Sequence, residues 1–393
     1  MLETLFWTFF LLFLSSWLVY PLLLALMSLV LRRHDGCWKD PDPWPQVSVM
    51  ISARNEGDVI GARIENLLGQ DYSGELQVLV GSDASEDRTE DVAGSFSDRG
   101  VVLYASRERL GKPRMVQRLL ELATGTVLVF TDADTVFAPD TVSRLVRPYS
   151  DPSVGCVDGN RRNSLAGETC ESIYWRYEKA VKTFCSRMGA VLGATGAVFS
   201  VRRDLFRPLS SGRADDFEIA VMARLQGFHC VFDPGAVAAE PSPDDSRQYR
   251  RMVRIVSWMV VSCLMLMGRA LARGRIFLFL QLLVHKMLRW LSGVFLVLAT
   301  VMAGLLVPET FYTVIFMLLC IFHAAAAAGM LLRGGIPSKL NGGFPSKLNG
   351  GIPSKLLFPY YFWLMNVAAA DGILRTLCGR PVETWEKRKG GSD

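Results

Sequence analysis

The chain reads Val127-Leu128-Val129-Phe130-Thr131-Asp132-Ala133-Asp134 before its midpoint. Four apolar residues followed by polar ones are typical of a buried β-strand that ends at a turn. In an extended segment, side chains two residues apart project to the same side, so Asp132 and Asp134 form a pair of carboxylates. Such a pair can hold Mg²⁺ or Mn²⁺ and leave coordination positions for diphosphate oxygens. The spacing is common by chance, but its place directly after a strand favours a functional site.

Similar apolar runs recur on both sides of this stretch. They predict strands at residues 47–51, 76–80, 101–104, Val127–Thr131 and 154–158, and helix-like patterns occupy residues 58–68, 112–123 and 139–148. This alternation predicts βαβ units, and therefore an α/β fold whose mostly parallel sheet is covered on both faces. Ligands of such sheets bind outside the carboxyl ends of the strands, so the polar residues there are candidate site residues.

Carboxylates also follow two other predicted strands. Asp83 stands after residues 76–80, and Glu56 stands after residues 47–51 in the run Ser52-Ala53-Arg54-Asn55-Glu56. Any one of these side chains is equally typical of a turn former or a helix cap. Three sets of carboxylates at the ends of three strands favour a common binding site.

Two further residues begin helix-like stretches. Lys112 follows Gly111, where its charge and the helix dipole suit a phosphate, although a solvated surface lysine fits the pattern equally well. Asp216 lies in Ala214-Asp215-Asp216-Phe217. An Asp at a helix start is usually a cap, and the alternative is a base that deprotonates an acceptor hydroxyl.

The apolar residues are concentrated outside this central region. Residues 6–31 carry no charged side chain, which is long enough to cross a hydrocarbon core of about 30 Å. No basic residue precedes them and Arg32-Arg33 follow, the reverse of a cleaved signal peptide. The positive-inside rule then places the N-terminus outside and the following domain in the cytoplasm. We therefore expect an integral protein of a bacterial inner (plasma) membrane that contacts lipids directly.

The C-terminal part predicts further membrane contacts. Residues 290–307 and 311–332 read as two transmembrane helices, while residues 252–268 and 276–289 read as interfacial because basic residues flank or interrupt them. A Gly/Pro/Ser/Lys repeat reads as a linker, with a lipid-headgroup contact as the alternative. The predicted organisation is an anchor at 1–33, a cytoplasmic catalytic domain at 40–250, interfacial helices at 251–289, transmembrane helices at 290–332, the linker at 333–356, and a membrane-associated segment and tail at 357–393.

The composition argues against a zinc site and against nucleic-acid binding. The eight cysteines form no C-x-x-C pair, so free thiols are expected, and with four histidines no zinc site is indicated. The net charge of +5 comes without a basic run interleaved with aromatic residues. Nucleic-acid binding is therefore not expected.

The motifs taken together, in their order, resemble the membrane-bound family-2 glycosyltransferases, which include cellulose, chitin and hyaluronan synthases. The set is Ala53-Arg54-Asn55-Glu56, Ser82-Asp83, Gly111-Lys112, Asp132-Ala133-Asp134, Gly193-Ala194-Thr195-Gly196-Ala197, Asp215-Asp216 and Gln248-x-x-Arg251. The resemblance covers residues 47 to about 255; residues 285–290 and Trp385 also resemble bacterial members. It implies an inverting enzyme with the Rossmann-like GT-A fold, flanked by transmembrane and interfacial helices.

The resemblance also implies roles for individual residues. The donor, a UDP-sugar, would be held by Ala53, Glu56, Asp83, Lys112 and Asp132. The cation would be Mg²⁺ or Mn²⁺ on Asp132 and Asp134, with Asp134 as the more direct ligand. Asp216 would be the general base, Gln248 and Arg251 would lie near the diphosphate and the acceptor, and Thr195, Gly196 and Met252 would line the acceptor side.

Two departures from the family pattern bear on the product. The base motif reads Ala214-Asp215-Asp216 instead of Thr-Glu-Asp, and Met252 stands where the family has a Trp that lines the acceptor site. Because Met lacks a flat face for a sugar ring, Met252 favours transfer of one sugar to a lipid-linked acceptor. The synthase resemblance favours a processive exopolysaccharide synthase instead. A non-catalytic nucleotide-binding scaffold of an export complex is the third reading, and an export or co-polymerase partner is unidentified.

Overall fold

Eight strands form one mixed sheet in the computed structural model, which describes residues 1–163, 170–207, 215–240, 245–332 and 358–379. In chain order the strands are β1 (Val47–Ala53), β2 (Leu76–Asp83), β3 (Val101–Ser106), β4 (Val127–Thr131), β5 (Val136–Phe137), β6 (Val154–Asn163), β7 (Phe199–Arg202) and β8 (His229–Glu240). Their order across the sheet is β3-β2-β1-β4-β7-β6-β8-β5. Each predicted strand is present, and β1, β2, β3 and β6 extend further than their apolar runs.

The sheet has a parallel half and a mixed half. Strands β3, β2, β1 and β4 are parallel neighbours, so their carboxyl ends meet at one edge, which we call the carboxyl edge. Strand β7 then runs antiparallel between β4 and β6, β8 pairs parallel with β6, and β5 pairs antiparallel with β8. The predicted α/β class is confirmed, and the antiparallel strands are additions to the predicted sheet.

Helices cover both faces of the sheet. They are α3 (Ile60–Leu68), α4 (Thr89–Gly94), α5 (Lys112–Leu122), α6 (Thr141–Val146), α7 (Cys170–Arg187) and α8 (Asp215–Leu225). Alternation along the strands sends Val49 and Val129 into the core beneath α3 and α6, and Met50 and Phe130 into a second core beneath α5 and α7. Both faces are therefore buried, as expected for central strands of such a sheet.

The apolar helices lie outside the sheet. An N-terminal helical run consists of α1 (Leu2–Leu14), a π-helical turn (Ser15–Val19) and α2 (Tyr20–Val30). After β8 come α9 (Asp245–Ala272), α10 (Ile276–Gln281) with a π-helical segment (Leu282–Leu288), α11 (Ser292–Leu305), α12 (Thr310–Leu332) and α13 (Phe358–Leu377). Phe6 of α1 packs edge-on against Tyr312 of α12, and Leu24 of α2 enters the second core of the sheet domain. The apolar helices thus pack on one another and on the sheet domain.

Three helices among the described residues are long and apolar enough to cross a membrane: Leu2–Val30, Tyr249–Ala272 and Thr310–Leu331. A fourth crossing is formed if the pair Ile276–Leu288 and Ser292–Leu305, bent by 65°, counts as one span. These helices indicate association with a membrane. The segment at 252–268 was predicted to be interfacial, and the structure shows it within a helix that also meets the length and composition of a span. The 333–356 repeat and Trp385 lie outside the described residues.

Candidate active site

The pair of carboxylates lies where β4 ends. Strand β4 stops at Thr131, and a turn carries Asp132 and Asp134, both half-buried, on either side of the buried Ala133. Lys112 Nζ donates to Asp132 Oδ1 at 2.8 Å. The structure therefore places two of the predicted donor-binding residues in direct contact.

A buried arginine that sequence reasoning did not find supports this turn. Arg63 of α3 is 2% exposed; its Nη2 donates to Thr131 Oγ1 at 2.7 Å, and its guanidinium lies 4.1 Å from the centre of the Phe137 ring. Burial lowers the pKa of Arg63 to about 9, while the charges of Asp132 and Asp134 act in the opposite direction. Arg63 is thus a fixed positive charge beneath the carboxylate pair.

The loops after β1 and β2 hold each other in place. Asn55, at a φ of 54°, donates its backbone N–H to Ser85 Oγ and accepts the backbone N–H of Glu86 at Oδ1. The backbone N–H of Glu56 donates to Thr89 Oγ1 at 2.8 Å. Ala53 is the last residue of β1 and is buried. Hydrogen bonds therefore join the two loops that carry the predicted donor-binding residues at the carboxyl edge.

Asp83 ends β2 and determines where Lys112 lies. Its carboxylate accepts the backbone N–H groups of Leu110 at 2.6 Å and Gly111 at 3.0 Å, directly before α5 begins at Lys112. Gly111 has a φ of 79°, in the left-handed region that glycine adopts without strain. The structure thus assigns Asp83 a positioning contact. Its predicted contact with the donor remains a prediction.

The loop that contains Thr195 lies beside the carboxylate pair. Thr131 Oγ1 donates to the backbone carbonyl of Ala197 at 3.0 Å, which joins the end of β4 to this loop. A Cβ added at Gly196 would lie 3.1 Å from Asp216 Oδ2, so the carboxylate of Asp216 packs against the loop. Asp216 is therefore linked, through this loop, to Thr131, the residue before Asp132, and the predicted roles of Thr195, Gly196 and Asp216 remain predictions.

An ion pair between Asp158 and Lys182 holds the loop that contains Thr195. Asp158 of β6 is 1% exposed; it accepts Lys182 Nζ at 2.6 Å and the backbone N–H of Thr195 at 2.7 Å. Lys182 Nζ also donates to Thr195 Oγ1 at 2.9 Å. Burial raises the pKa of Asp158 above its ordinary value although Lys182 lowers it. Sequence reasoning found Asp158 only as a strand end, and the pairing with Lys182 of α7 carries no local signal.

Glu240, at the end of β8, connects Arg251 with the carboxylate pair. Its Oε2 lies 2.5 Å from Arg161 Nε and 4.0 Å from Arg251 Nη2. Burial raises the pKa of Glu240; Arg161 and Arg251 lower it, and Asp132 and Asp134 raise it further. Arg251 thus lies near Glu240, a carboxylate that the sequence did not reveal, and the predicted place of Arg251 near the diphosphate remains a prediction.

Gln248 and Met252, two further predicted site residues, lie in α9. The structure does not describe the side chain of Gln248. Met252 is partly buried and packs against an apolar cluster that includes Val256, Val260 and Ala369. Met252 lies in α9, the next described element of the chain after β8, and its predicted contact with an acceptor remains a prediction.

The residues at this edge suit a hard divalent cation bound with a diphosphate. Among the described residues, no group of three or more His, Cys, Asp or Glu side chains could hold a metal ion. Asp132 and Asp134 would supply two hard oxygen ligands, and the remaining positions would fall to donor oxygens and water. The nearby cations Lys112, Arg63 and Arg251 suit the same negative charge.

The family model described as "Glycosyltransferase like family 2" matches residues 45–256. N-acetylglucosaminyltransferases of Rhizobium leguminosarum bv. viciae and Mesorhizobium japonicum are 27% and 28% identical over 239 and 234 residues. These alignments cover 54% and 53% of this chain, and 55% and 54% of the relatives. The chain spans about half the length of the curated relatives it matches.

One solved structure resembles almost the whole chain. It is the mannosyltransferase PcManGT from Pyrobaculum calidifontis in complex with GDP-Man and Mn²⁺. The TM-score is 0.67 at 20% identity, over 97% of this chain and 100% of that chain. The likeness shows the fold, which is the predicted GT-A fold together with its flanking apolar helices.

Proposed function

The chain belongs to glycosyltransferase family 2, and on that basis we propose that it transfers a single sugar from a UDP-sugar to a lipid-linked acceptor. The transfer takes place at the cytoplasmic face of the membrane with inversion at the anomeric carbon. The observation that carries the proposal is one set of contacts: Thr131 bonds to Ala197, and Asp216 packs against Gly196. These contacts support a carboxylate base near the Asp132–Asp134 pair, because the loop of Ala197 and Gly196 touches both Thr131 and Asp216.

Asp216 is the general base of the proposed reaction. Its carboxylate accepts the proton of the acceptor hydroxyl while that oxygen attacks the anomeric carbon of the donor. The bond to the diphosphate breaks on the opposite side, so configuration inverts in one displacement. Such a base typically contributes roughly 10²–10⁴-fold to the rate. Positioning and preorganised charge supply much of the remainder.

The leaving diphosphate would be held on the other side of the site. Asp132 and Asp134 would hold Mg²⁺ or Mn²⁺, which supplies Lewis-acid stabilisation of the charge on the departing diphosphate. Arg251 and Lys112 add positive charge from two different helices, and Arg63 supports the turn from below. Ala53, Glu56 and Asp83 shape the part of the edge proposed for the nucleoside.

The acceptor is proposed to be lipid-linked because the apolar helices begin directly after the site. Arg251 lies in α9, which continues to Ala272 as an apolar helix. Relatives named as N-acetylglucosaminyltransferases make N-acetylglucosamine the first sugar to test. The processive synthase remains the alternative, because this GT-A domain is attached to several helices long enough to span a membrane.

The test is turnover by the detergent-purified chain with UDP-N-acetylglucosamine, UDP-glucose, UDP-galactose and GDP-mannose. Polyprenyl-diphosphate-linked N-acetylglucosamine and N,N′-diacetylchitobiose serve as acceptors, with Mn²⁺, Mg²⁺ or EDTA. We expect UDP release that depends on the cation and a product longer by one sugar. Use of GDP-mannose alone would contradict the UDP donor, undiminished turnover in EDTA would contradict the metal, and long products would favour the processive alternative.

A further inference from the structure

Helix α13 lies against the part of α9 that follows Arg251. Ser257 Oγ of α9 donates to the backbone carbonyl of Gly372 at 3.1 Å, and Thr376 Oγ1 of α13 donates to the carbonyl of Ser257 at 3.0 Å. A Cβ added at Gly372 would lie 2.8 Å from the carbonyl oxygen of Val253. The two backbones are therefore in contact at Gly372, as is common where apolar helices pack through small residues.

The contact with α13 involves one face of α9 and leaves the opposite face to Arg251. The side chains on the α13 face recur every three or four residues and are Tyr249, Met252, Val256 and Val260. Arg251 follows Tyr249 by two residues, which is about 200° around the helix. Its Nη2 lies 4.0 Å from Glu240 Oε2, at the end of β8. The face that packs on α13 therefore determines the direction of Arg251.

Asp371 fixes the first turns of α9. It is the only acidic residue of α13. Its Oδ1 accepts Arg375 Nε at 2.7 Å, and its Oδ2 accepts Tyr249 Oη at 3.3 Å. An acidic side chain in an apolar helix is costly unless it has partners, and membrane proteins retain such residues at functional positions. Arg375 thus orients the carboxylate, and Tyr249 links it to α9.

The other half of α13 is attached to α11. Asn366 is buried, and its Oδ1 accepts Ser292 Oγ at 2.9 Å and the backbone N–H of Gly293 at 2.8 Å, where α11 begins. Its Nδ2 donates to the carbonyl of Phe362, four residues earlier in α13, at 2.8 Å. Because α13 is fixed on α11 independently of α9, it can hold α9 in one rotation about its axis.

A small rotation of α9 would displace Arg251. A helix with its side chains has a radius of about 5–6 Å, so a rotation of about 20° moves the end of a side chain by roughly 2 Å. A misplacement of about 1 Å in an active site can lower the rate about 100-fold. The rotation of α9 therefore decides whether Arg251 reaches a diphosphate at the carboxyl edge.

We propose that α13 is a positioning element of the proposed diphosphate site. Gly372 sets the distance between α13 and α9. Asp371, through Tyr249, sets the rotation of α9 that directs Arg251 toward Glu240 and the diphosphate. This role of α13 rests on the proposed function, because the place of Arg251 near the diphosphate is part of that function.

The test measures the Kd of UDP in the presence of Mn²⁺, by titration calorimetry of the full chain in detergent. We expect Asp371→Leu to raise this Kd roughly tenfold and Tyr249→Phe roughly threefold, because Arg251 then loses part of its charge-assisted contact with the diphosphate. Gly372→Ala should raise the Kd as well, since its Cβ displaces the backbone of α9. Asp371→Asn should stay within about twofold, because its amide oxygen still accepts Tyr249 Oη.

The same substitutions in an Arg251→Ala chain show whether the effect passes through Arg251. In that chain we expect Asp371→Leu to change the Kd by less than about twofold, since residues that act through one contact are not additive. Leu374→Ala is the control on α13. Its side chain is 60% exposed, so the Kd should be unchanged in both chains.

An unchanged Kd in Asp371→Leu, Tyr249→Phe or Gly372→Ala overturns the proposal. An equal loss of affinity with and without Arg251 also overturns it, because the loss then comes from general damage to the fold. If Asp371→Leu does not fold, Tyr249→Phe decides, since it removes a single hydroxyl. If the unsubstituted chain binds no UDP, the proposed function fails instead, so the two failures are distinguishable.

Discussion

Asp132 and Asp134 stand two residues apart but have different surroundings. Asp132 Oδ1 accepts Lys112 Nζ at 2.8 Å, so a cation at Asp132 would share that oxygen with an ammonium group or displace it. The charges of both carboxylates raise the pKa of Arg63 and the pKa of Glu240. This arrangement supports Asp134 as the more direct of the two proposed metal ligands.

We expect Asp134→Asn to lower turnover roughly 100-fold or more at saturating donor, because an amide neither neutralises the cation nor matches a carboxylate as its ligand. The Mn²⁺ concentration for half-maximal activity should rise as well. Asp140→Asn is the matched control, since Asp140 pairs with Arg144 four residues later in α6. Equal metal dependence in Asp134→Asn and the unsubstituted chain would exclude Asp134 as a ligand.

Site residues that directly follow a strand could be predicted from the sequence. Site residues whose role depends on a contact with a residue far away in the chain could not. Asp132, Asp134 and Asp83 follow apolar runs, so their place at the carboxyl edge follows from the sequence. Arg63 reads as an ordinary position of an amphipathic helix, and its burial depends on Thr131 of β4. Asp158 likewise acquires its role from Lys182 and Thr195, which only the folded chain brings near.

All four strands of the parallel half of the sheet were predictable, whereas in the mixed half only β6 was. Strands β1, β2, β3 and β4 are apolar runs separated by amphipathic helices, a pattern typical of right-handed parallel crossovers. The direction of a strand leaves no mark in its periodicity. Strands β7 and β5 are only four and two residues long, so neighbouring strands define them.

Helix α7 joins the sheet domain to the apolar helices through a buried ion pair. Glu178 Oε1 lies 2.5 Å from Arg289 Nη2, and the Arg289 guanidinium lies 4.4 Å from the ring centre of Trp17 in the N-terminal run. Burial alone would raise the pKa of Glu178, but attraction by Arg289, His285 and Lys286 outweighs it and lowers the pKa to about 2.

Because this pKa lies below the ordinary value of 4.5, ionised Glu178 stabilises the fold above pH 4.5, and this stabilisation is lost as the pH falls towards about 2. We expect Glu178→Gln to lower the free energy of unfolding by about 3 kcal/mol at pH 7. The difference from the unsubstituted chain should narrow below about pH 4.5. Urea unfolding of both chains in detergent at several pH values measures this difference in the free energy of unfolding.

Glu65→Gln is the control for this prediction, since Glu65 pairs with Arg99 on the exposed surface and should leave the unfolding midpoint unchanged. A Glu178→Gln deficit that is the same at pH 7 and pH 3 would show that Glu178 acts through packing and not through its charge.

The number of membrane crossings in the whole molecule depends on α9. If α9 lies at the interface, the bent pair and α12 make two crossings after the sheet domain, and residue 333 returns to the side of that domain. If α9 also crosses the membrane, three crossings follow the sheet domain. Helix α13 then begins on the side of the membrane opposite to that domain. Cys37 precedes these helices in the sequence and Cys378 follows them, and both cysteines are exposed.

We expect a membrane-impermeant maleimide to label both Cys37 and Cys378 in inside-out vesicles and neither in intact spheroplasts. Each serves as the reporter in a chain whose other exposed cysteines, together with Cys170, are changed to Ser; the four buried cysteines should not react. Labelling of Cys37 in spheroplasts would contradict a cytoplasmic catalytic domain. Labelling of Cys378 but not of Cys37 in spheroplasts would contradict an interfacial α9 or a surface α13.

Asp216, which packs against Gly196, is proposed to deprotonate the acceptor. The most direct measurement is kcat for sugar transfer by Asp216→Asn, with Asp98→Asn on the exposed turn Ser97–Arg99 as control. Asn can still accept the backbone N–H of Phe217, so the fold and both KM values should be retained. We predict a fall in kcat of roughly 10²–10⁴-fold. Transfer by Asp216→Asn at the rate of the unsubstituted chain would contradict the mechanism.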